Sequence, residues 1–338
     1  KSAHSGTNYN DMPVKTYDFQ APLGEFGQKN PHYFMLRKLH LFMHDYAEVL
    51  APMEASFPCC QDIEKGDDSH LRWSLRSKDK SGFVFINNYE RLQQLSAKKN
   101  VQFEVCGVKF PQRPMTVPAG AMCIFPVNID GIRYATAQLI AKRDGKIYLE
   151  QIKGIPTEIA VDGKVLKNVK AKGIAKPVYK NIYLVDSKTA EHLFLQKEGK
   201  SMMSLAPSFK KIKEAEGVRK ITMGVQKVAE EPSDADFKKA AVYQLNLSPE
   251  MLQGRNLLKI QYRGDCARLY ADGKLVADNF YNGRPFLMGL WRLPADCQKL
   301  ELRILPLQKD MPVYFPREAD VTKEGEELVK LEIINDAL

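Results

Sequence analysis

Alternation of apolar and polar residues, rather than helical periodicity, dominates most of the chain. Residues 71–75 and 101–105 alternate, and residues 82–86 are apolar almost throughout, as expected of a buried strand. Asp-Gly pairs, which favour two-residue hairpin turns, stand between apolar runs at 130–131, 144–145, 162–163 and 272–273. Further short strands are predicted at 121–127, 134–140, 146–151, 157–161 and 181–185. The pattern predicts a mainly β fold built from sandwiches or jelly rolls.

One long helix interrupts this pattern near residue 31. Asn30 and Pro31 supply a cap and a first helical residue, and Pro52 ends the run. Between them, apolar residues recur at helical spacing and predict a stripe that needs a partner surface: Met35, Leu39, Phe42, Tyr46 and Val49. A second, short helix is predicted from residue 186 to about residue 195. No apolar run reaches the roughly 20 residues that cross a bilayer, so no membrane span is expected.

The last 100 residues or so contain eight short apolar runs, which predict one jelly roll. These runs are 241–247, 257–262, 267–270, 275–277, 286–290, 300–305, 313–315 and 328–334. The stretch 207–235 is rich in Lys, Glu and Pro, and we interpret it as the main linker. The predicted organisation is therefore an opening segment (1–53), a β region (54–206), the linker and a C-terminal domain (236–338).

Composition narrows the class of protein. The chain has 338 residues, 44% hydrophobic and 27% charged, which is typical of a globular protein with more than one domain. The net charge of +9 comes from lysines scattered over turns and strand edges, which indicates a solvated surface and no nucleic-acid partner. The six cysteines form no CxxC motif, so free or buried thiols are expected, with one disulfide as the alternative.

Three segments, in order along the chain, carry a family resemblance. The first is GTNY at 6–9 with TYDFQAPLGE at 16–25. The second is GFVFINNYER at 82–91 with KNVQFE at 99–104, and the third is GDCARLY at 264–270 with DNFYNG at 278–283. Together they resemble family 35 glycoside hydrolases, the β-galactosidase-like enzymes of the long bacterial type. The first segment and the helix after it resemble the last loop and helix of that family's (β/α)8 barrel, so residues 1–53 would be a remnant of the catalytic barrel. The second segment is similar to the β domain after the barrel, and the third to the family's galactose-binding-like jelly roll.

The resemblance implies an accessory role. Both catalytic glutamates of the family lie on barrel strands upstream of residue 1, so no catalytic residue is expected here and the chain is predicted to be inactive alone. It would support the hydrolysis of terminal galactosides by a catalytic (β/α)8 barrel in cis or in trans, without a cofactor. The alternative is a stand-alone carbohydrate-binding or interaction protein. A periplasmic or extracellular location is implied by the family, although the chain shows no signal peptide.

The candidate sugar-binding residues of the opening segment are Tyr17, Asp18 and Phe19. The family's second aromatic residue in this motif contacts the galactosyl unit through a hydroxyl group, which Phe19 lacks. Losing such a hydrogen bond costs on the order of 1 kcal/mol. Phe19 therefore predicts either an altered sugar specificity or a pocket that is no longer required to bind the galactosyl unit as it does in the family.

Three further candidates come from the C-terminal domain. Asn279 and Tyr281 lie in the polar segment 278–283, which is predicted to be an exposed loop. Trp291 is a candidate for stacking on a sugar ring, with packing in the core as the alternative for each aromatic residue.

Other polar groups are interpreted as structural. His40 and His44 have the spacing of a metal clip but lack the motif of a zinc hydrolase, so no metal site is predicted. The adjacent acids at 67–68 and 230–231 are interpreted as solvated turns rather than as an acid/base pair.

Overall fold

The structure, a computed structural model, describes residues 21–58, 63–195, 206–224, 229–309, 311–313 and 315–334. The chain divides into two compact units. The central unit is Phe34–Gln196, and the terminal unit combines Lys1–Tyr33 with Lys197–Leu338. Antiparallel sheets dominate both, so the predicted mainly β fold of the sandwich and jelly-roll type is confirmed. The four-part domain organisation stays a prediction.

The central unit contains one long helix, a short helix and a series of strands. In chain order they are α1 (Pro31–Leu50, in this unit from Phe34 onward), β1 (Glu54–Ser56), β2 (Arg72–Lys78), β3 (Ser81–Asn87), β4 (Lys98–Val105), β5 (Val108–Val117), β6 (Met122–Ile129), β7 (Ile132–Ala135), β8 (Gln138–Arg143), β9 (Lys146–Glu150), β10 (Ile159–Val161), β11 (Lys164–Leu166), β12 (Ile182–Val185) and α2 (Ser187–Glu191).

A seven-stranded sheet in the order β1-β2-β3-β6-β7-β10-β11 forms the middle of this unit. Because side chains alternate along a strand, the two faces of the sheet bury different residues. On one face Phe83 contacts the rings of Phe42 and Tyr46 of α1 at centroid distances of 5.2 and 5.9 Å. On the other face Val84 packs in a cluster with Phe110 of the β4–β5 hairpin. A smaller sheet, β12-β9-β8, completes the unit, with β12 parallel to β9.

The predicted helix is confirmed, but its predicted stripe is only partly right. Phe42 and Tyr46 are buried, whereas Met35, Leu39 and Val49 are 51, 42 and 44% exposed. The buried side chains of α1 are those at 41, 42, 46 and 50, and the last three of them share a cluster with Phe83 of the sheet. Met35 and Leu39 belong to a second apolar face, which this sheet does not cover.

The four Asp-Gly pairs form the hairpin turns that the sequence predicts. In each pair both residues have positive φ, for example 49° at Asp130 and 79° at Gly131. These values suit a type I′ turn, in which glycine avoids the steric cost of a left-handed backbone. The turns join β6 to β7, β8 to β9, β10 to β11, and two strands of the terminal unit.

The terminal unit is a two-sheet sandwich. Its elements are β13 (Ser208–Lys213), α3 (Asp234–Phe237), β14 (Ala241–Asn246), β15 (Leu257–Arg263), β16 (Cys266–Ala271), β17 (Lys274–Phe280), β18 (Phe286–Gly289), β19 (Leu300–Ile304) and β20 (Glu327–Ile334), with 3-10 turns at Pro249–Leu252 and Leu290–Arg292. The sheets have the orders β13-β14-β19-β16-β17 and β18-β15-β20. One apolar core lies between them, and Phe26, 6% exposed, belongs to it.

Two predictions for this unit need correction. Residues 208–213, predicted as part of the linker, form β13 and pair with β14, so they belong to the sheet. The strand predicted at 313–315 does not form at Val313 or Phe315, where the chain follows bends between β19 and β20. The high charge of the first segment and the apolar character of the second were misleading, because edge strands tolerate lysines and loops can bury apolar residues.

An ion pair is buried in the terminal unit. Nε of Arg219 donates to Oδ2 of Asp265 at 2.7 Å, and the two side chains are 3 and 0% exposed. The amide of Gln308 donates to the carbonyl oxygen of Arg219 at 2.8 Å. These contacts fasten the segment after β13 to the sandwich.

The cysteines that the structure describes are free thiols. They are Cys106, Cys123, Cys266 and Cys297. Of these, Cys123 and Cys266 are buried. This agrees with the expected state, while Cys59 and Cys60 lie outside the described residues.

Candidate functional site

The central unit contains a groove beside α1 with a volume of about 790 Å³. We call this feature the groove. Residues of α1 form one wall, the seven-stranded sheet forms the floor, and Phe57 and Ile63 lie at the rim. Ligand pockets of globular proteins have volumes of roughly 300–1,000 Å³, so the groove has the size of a binding site.

Neighbouring strands build the floor of the groove from one face of the sheet. Phe85 of β3 lies opposite Ser74 of β2 and opposite Ile124 of β6. Cross-strand partners share a face, and Phe85 also contacts the ring of Phe42 of α1 at 6.3 Å. The floor is therefore the continuation of the surface on which α1 packs, beyond the edge of the helix.

The wall and the rim expose large apolar side chains. Met35, Leu36 and Leu39 on α1 are 40–51% exposed, and Phe57 is 73% exposed. Met122 at the far end of the floor is 51% exposed. Scattered exposed apolar residues are common, but a contiguous group beside a groove is typical of an interaction site.

A buried carboxylate at the groove is fully engaged within the unit. Glu150 is 3% exposed, and its Oε2 accepts a hydrogen bond from Nζ of Lys38 at 3.0 Å. Its Oε1 accepts from the hydroxyl of Ser187 at 2.6 Å. This ion pair links α1 to β9 and the start of α2, so its geometry explains a structural role for Glu150.

Arg72 supplies a second charge at the groove. Its Nη2 donates to Oε2 of Glu90 at 2.6 Å and to the carbonyl oxygen of Asp67 at 3.2 Å. Among the described residues, Nη1 of Arg72 is buried and has no hydrogen-bond partner. Cys123 borders the groove, but its side chain belongs to the cluster with Val84 on the other face of the sheet, and burial raises the pKa of its thiol to about 12. The thiol is therefore protonated at neutral pH and is not a nucleophile.

The adjacent acids at 67–68 do not form an acid/base pair. Asp67 accepts from the backbone and the hydroxyl of Ser69, which lowers its pKa, and Asp68 binds Nζ of Lys98 at 2.5 Å. The hydrogen bond from Lys98 lowers the pKa of Asp68 to about 2. A general acid needs a raised pKa, so these carboxylates serve as caps and anchors.

Two of the candidate sugar-binding residues are buried in the terminal unit. Asn279 belongs to β17 and is 7% exposed, and its Oδ1 accepts from the hydroxyl of Tyr262 at 2.9 Å. Tyr281 is 5% exposed, and its hydroxyl accepts from the backbone N–H of Asp320 at 3.2 Å. The prediction of an exposed loop at 278–283 is therefore wrong, because the segment ends a strand inside the sandwich.

Of the remaining candidate sugar-binding residues, the structure describes only Trp291. Trp291 is half-buried and packs edge-on against Phe26 at 6.2 Å, and the guanidinium of Arg255 lies 5.0 Å from the ring centre of Trp291. These contacts favour the packing alternative for the tryptophan. Tyr17, Asp18 and Phe19 lie outside the described residues.

The pattern of the sequence does not predict the groove. Leu36, which lines the groove, was not part of the predicted stripe, and Phe57 belonged to no predicted element, while Met35 and Leu39 were assigned to a single stripe. A signal was present, since the apolar residues of α1 occupy more positions than one face of a helix offers.

Comparisons with known proteins give little further information. Neither a protein-family model nor a curated protein sequence matches the chain. Among solved structures, the chain is similar to a rhamnosidase, a glycoside hydrolase, from Novosphingobium sp. PP1Y, with 12% sequence identity and a TM-score of 0.19. The match covers 85% of this chain and spans 26% of the rhamnosidase chain. So low a TM-score supports no conclusion about fold or activity, and it does not point to family 35.

Two other classes of site are absent from the residues that the structure describes. Within the described part of the chain, no helix is long and apolar enough to cross a bilayer. In the same residues, no three His, Cys, Asp or Glu side chains are grouped so that they would hold a metal ion. The imidazole of His44 lies 2.8 Å from the carboxylate of Asp45.

Proposed function

We propose that this chain is a non-catalytic accessory region of a glycoside hydrolase of the β-galactosidase-like family 35 type. In this proposal it docks through the groove and the exposed side of α1 on a catalytic (β/α)8 barrel that hydrolyses terminal galactosides. The observation that supports docking is the second apolar face of α1. The three sequence segments described above support the choice of family.

The exposed face of α1 has the form of a helix-packing surface. Met35, Leu39 and Met43 follow one another at intervals of four residues and are 42–51% exposed. Rows at this interval form the ridges that interdigitate when two helices pack. Because the outer layer of a (β/α)8 barrel is a ring of helices, such a barrel offers matching ridges.

The carboxylates near the groove support a non-catalytic role. A retaining glycosidase needs two carboxylates about 5 Å apart, one of them a proton donor with a raised pKa. Glu150 is held by Lys38 and Ser187, and the pKa of Asp67 and that of Asp68 are lowered rather than raised. The acids that carry out the reaction are therefore assigned to the barrel.

The decisive experiment combines an activity assay with a binding assay. The chain alone should release no nitrophenol from a nitrophenyl galactoside. In isothermal titration calorimetry it should bind a separately produced barrel segment of a family 35 enzyme. The variant Leu39→Glu should abolish that binding, because it places a charge in the apolar interface.

The matched control is His40→Glu, which adds a carboxylate to the neighbouring exposed position of the same helix. It should bind the barrel more tightly than Leu39→Glu does. Turnover by the chain alone, or equal binding by the two variants, would contradict the proposal.

Carbohydrate binding by the chain itself is the second candidate. It rests on Asn279, Tyr281 and Trp291, with Tyr17, Asp18 and Phe19 from the opening segment. The first two already use polar atoms in hydrogen bonds inside the terminal unit, so a sugar would have to replace those bonds. Calorimetry with galactosides separates the two candidates. A heat of binding that disappears in the variant Asn279→Ala would favour carbohydrate binding by the chain itself.

A further inference from the structure

A lysine-rich segment of the central unit was interpreted from the sequence as a solvated surface. Residues 163–180 contain six lysines and no acidic residue, and the structure exposes all six: Lys164, Lys167, Lys170, Lys172, Lys176 and Lys180. We call residues 162–180 the lysine loop. Protection of a sheet edge explains only Lys164, which begins the edge strand β11. The other five lysines follow that strand.

The two ends of the lysine loop meet at Asp162. The hydroxyl of Tyr179 donates to Oδ2 of Asp162 at 3.1 Å, and Nζ of Lys180 lies 2.6 Å from the same oxygen. Compact surface loops with joined ends are frequently functional. The lysines are therefore carried by a closed loop rather than by a free tail.

Hydrogen bonds also fix the middle of the loop. The N–H of Val169 donates to the carbonyl oxygen of Thr157 at 3.1 Å, and that of Lys172 donates to the carbonyl oxygen of Leu184 at 2.9 Å. The side-chain amide of Gln151 donates to the carbonyl oxygen of Val169 and accepts from the N–H of Ala171. The backbone at 169–172 thus has a fixed path along the unit.

This path directs the lysines outward. Val169 and Ala171 pack on the core, whereas the residues that follow each of them, Lys170 and Lys172, are exposed. In an extended segment, residues two apart lie about 6–7 Å apart on the same side. Among the described residues, none of Lys167, Lys170 and Lys172 forms an ion pair. Their charges are therefore carried on a fixed backbone and are not neutralised by an acidic side chain among the described residues.

A pocket of about 390 Å³ adjoins the loop at Lys167. Arg113, Asn168 and three proline rings also line it. Its one carboxylate, Glu158, accepts hydrogen bonds from the hydroxyl of Tyr134 and the N–H of Gln112, both at 3.0 Å. Glu158 keeps its negative charge, so the pocket carries the two positive charges of Arg113 and Lys167 against one negative charge, and the excess of positive charge favours an anion.

We propose that the lysine loop and the adjoining pocket bind an anionic polysaccharide, with uronate or sulfate groups on the lysines and one sugar ring in the pocket. The pocket favours this partner over duplex nucleic acid, whose bases are stacked inside a rod. The lysine loop has one aromatic side chain, Tyr179, whose hydroxyl is bound to Asp162, so it offers no series of aromatic rings on which successive bases of a single strand would stack. The inference does not depend on the accessory role.

The test is affinity electrophoresis and calorimetry of the whole chain with polygalacturonate, dextran sulfate, uncharged dextran and duplex DNA. Binding to at least one charged polysaccharide and none to dextran is expected, and it should weaken as salt is added. The two charged polymers distinguish uronate from sulfate recognition. No binding to either, or equally tight binding of duplex DNA, would overturn the proposal.

The variant for this test changes Lys167, Lys170 and Lys172 to Gln. Because each lysine near an anionic surface contributes measurably, the affinity should fall about tenfold or more. The control changes Lys78, Lys99 and Lys274 to Gln, three exposed lysines elsewhere, and removes the same net charge. An equal loss in both variants would show that only the net charge matters, which would refute a site at the loop.

Discussion

The terminal unit packs its main apolar cluster between two sheets, whereas the central unit leaves apolar side chains exposed beside a groove. In the sandwich even the polar candidates Asn279 and Tyr281 are buried and hydrogen-bonded. In the central unit, by contrast, Met35, Leu39 and Phe57 are exposed beside a groove. The difference indicates that the binding surface lies on the central unit, although three of the candidate residues predicted from the sequence lie in the terminal unit.

The physical origin of this difference is the shape of the two kinds of layer. In a sandwich the inner faces of the two sheets pack against each other and form one core. A single helix covers a strip of a wide sheet, and its own far side stays uncovered. The groove is the part of the seven-stranded sheet that α1 does not reach.

The largest expected effect comes from the buried side of α1. Phe42 is fully buried against Phe83 and Tyr46, so Phe42→Ala should lower the free energy of unfolding by roughly 3–5 kcal/mol through a cavity. Urea unfolding followed by circular dichroism measures this change. The matched variant Leu39→Ala, on the exposed side of the same helix, should change it by less than about 1 kcal/mol. Equal effects of the two would remove the distinction between the faces of α1.

A somewhat smaller effect is expected from the buried ion pair of the terminal unit. Asp265→Ala leaves the guanidinium of Arg219 buried without its carboxylate, which should cost about 3 kcal/mol in unfolding free energy. Glu327→Ala is the control, because Glu327 is 59% exposed and pairs with Arg263 at the surface. Its cost should stay below about 1 kcal/mol. Thermal unfolding of both variants provides the measurement. An unchanged stability of Asp265→Ala would show that the Arg219–Asp265 pair does not stabilise the terminal unit.

The smallest expected effect concerns pH and the loop before β2. Lys98 lowers the pKa of Asp68 from its usual value of 3.8 to about 2, so the folded state prefers the carboxylate. This contribution to stability is complete above pH 3.8 and is lost as the pH falls toward 2. In Asp68→Asn the unfolding midpoint in urea should therefore depend less on pH between pH 4 and pH 2 than in the unchanged chain. The same pH dependence in both proteins would exclude Asp68 as its source.

Local features of the fold could be predicted from the sequence, because they depend on a few neighbouring residues. The Asp-Gly turns, the cap of α2 at Asp186 and the start of α1 at Pro31 are of this kind. The strand β13 was missed because its lysines resemble a linker, and only pairing with β14 makes it a strand. The groove depends on side chains from α1, β3 and β6, which no local pattern brings together.

Phe26 gives the terminal unit an unusual dependence on distant parts of the chain. Its ring is buried in the sandwich core beside Trp291, although the whole central unit is encoded between them. During synthesis Phe26 leaves the ribosome long before the strands that form its binding site in the core. Contacts between residues so distant in sequence slow folding. A fragment cut at residue 197 would therefore leave a hole in its core, and a useful fragment of the jelly roll needs residues 21–33 supplied as a second peptide.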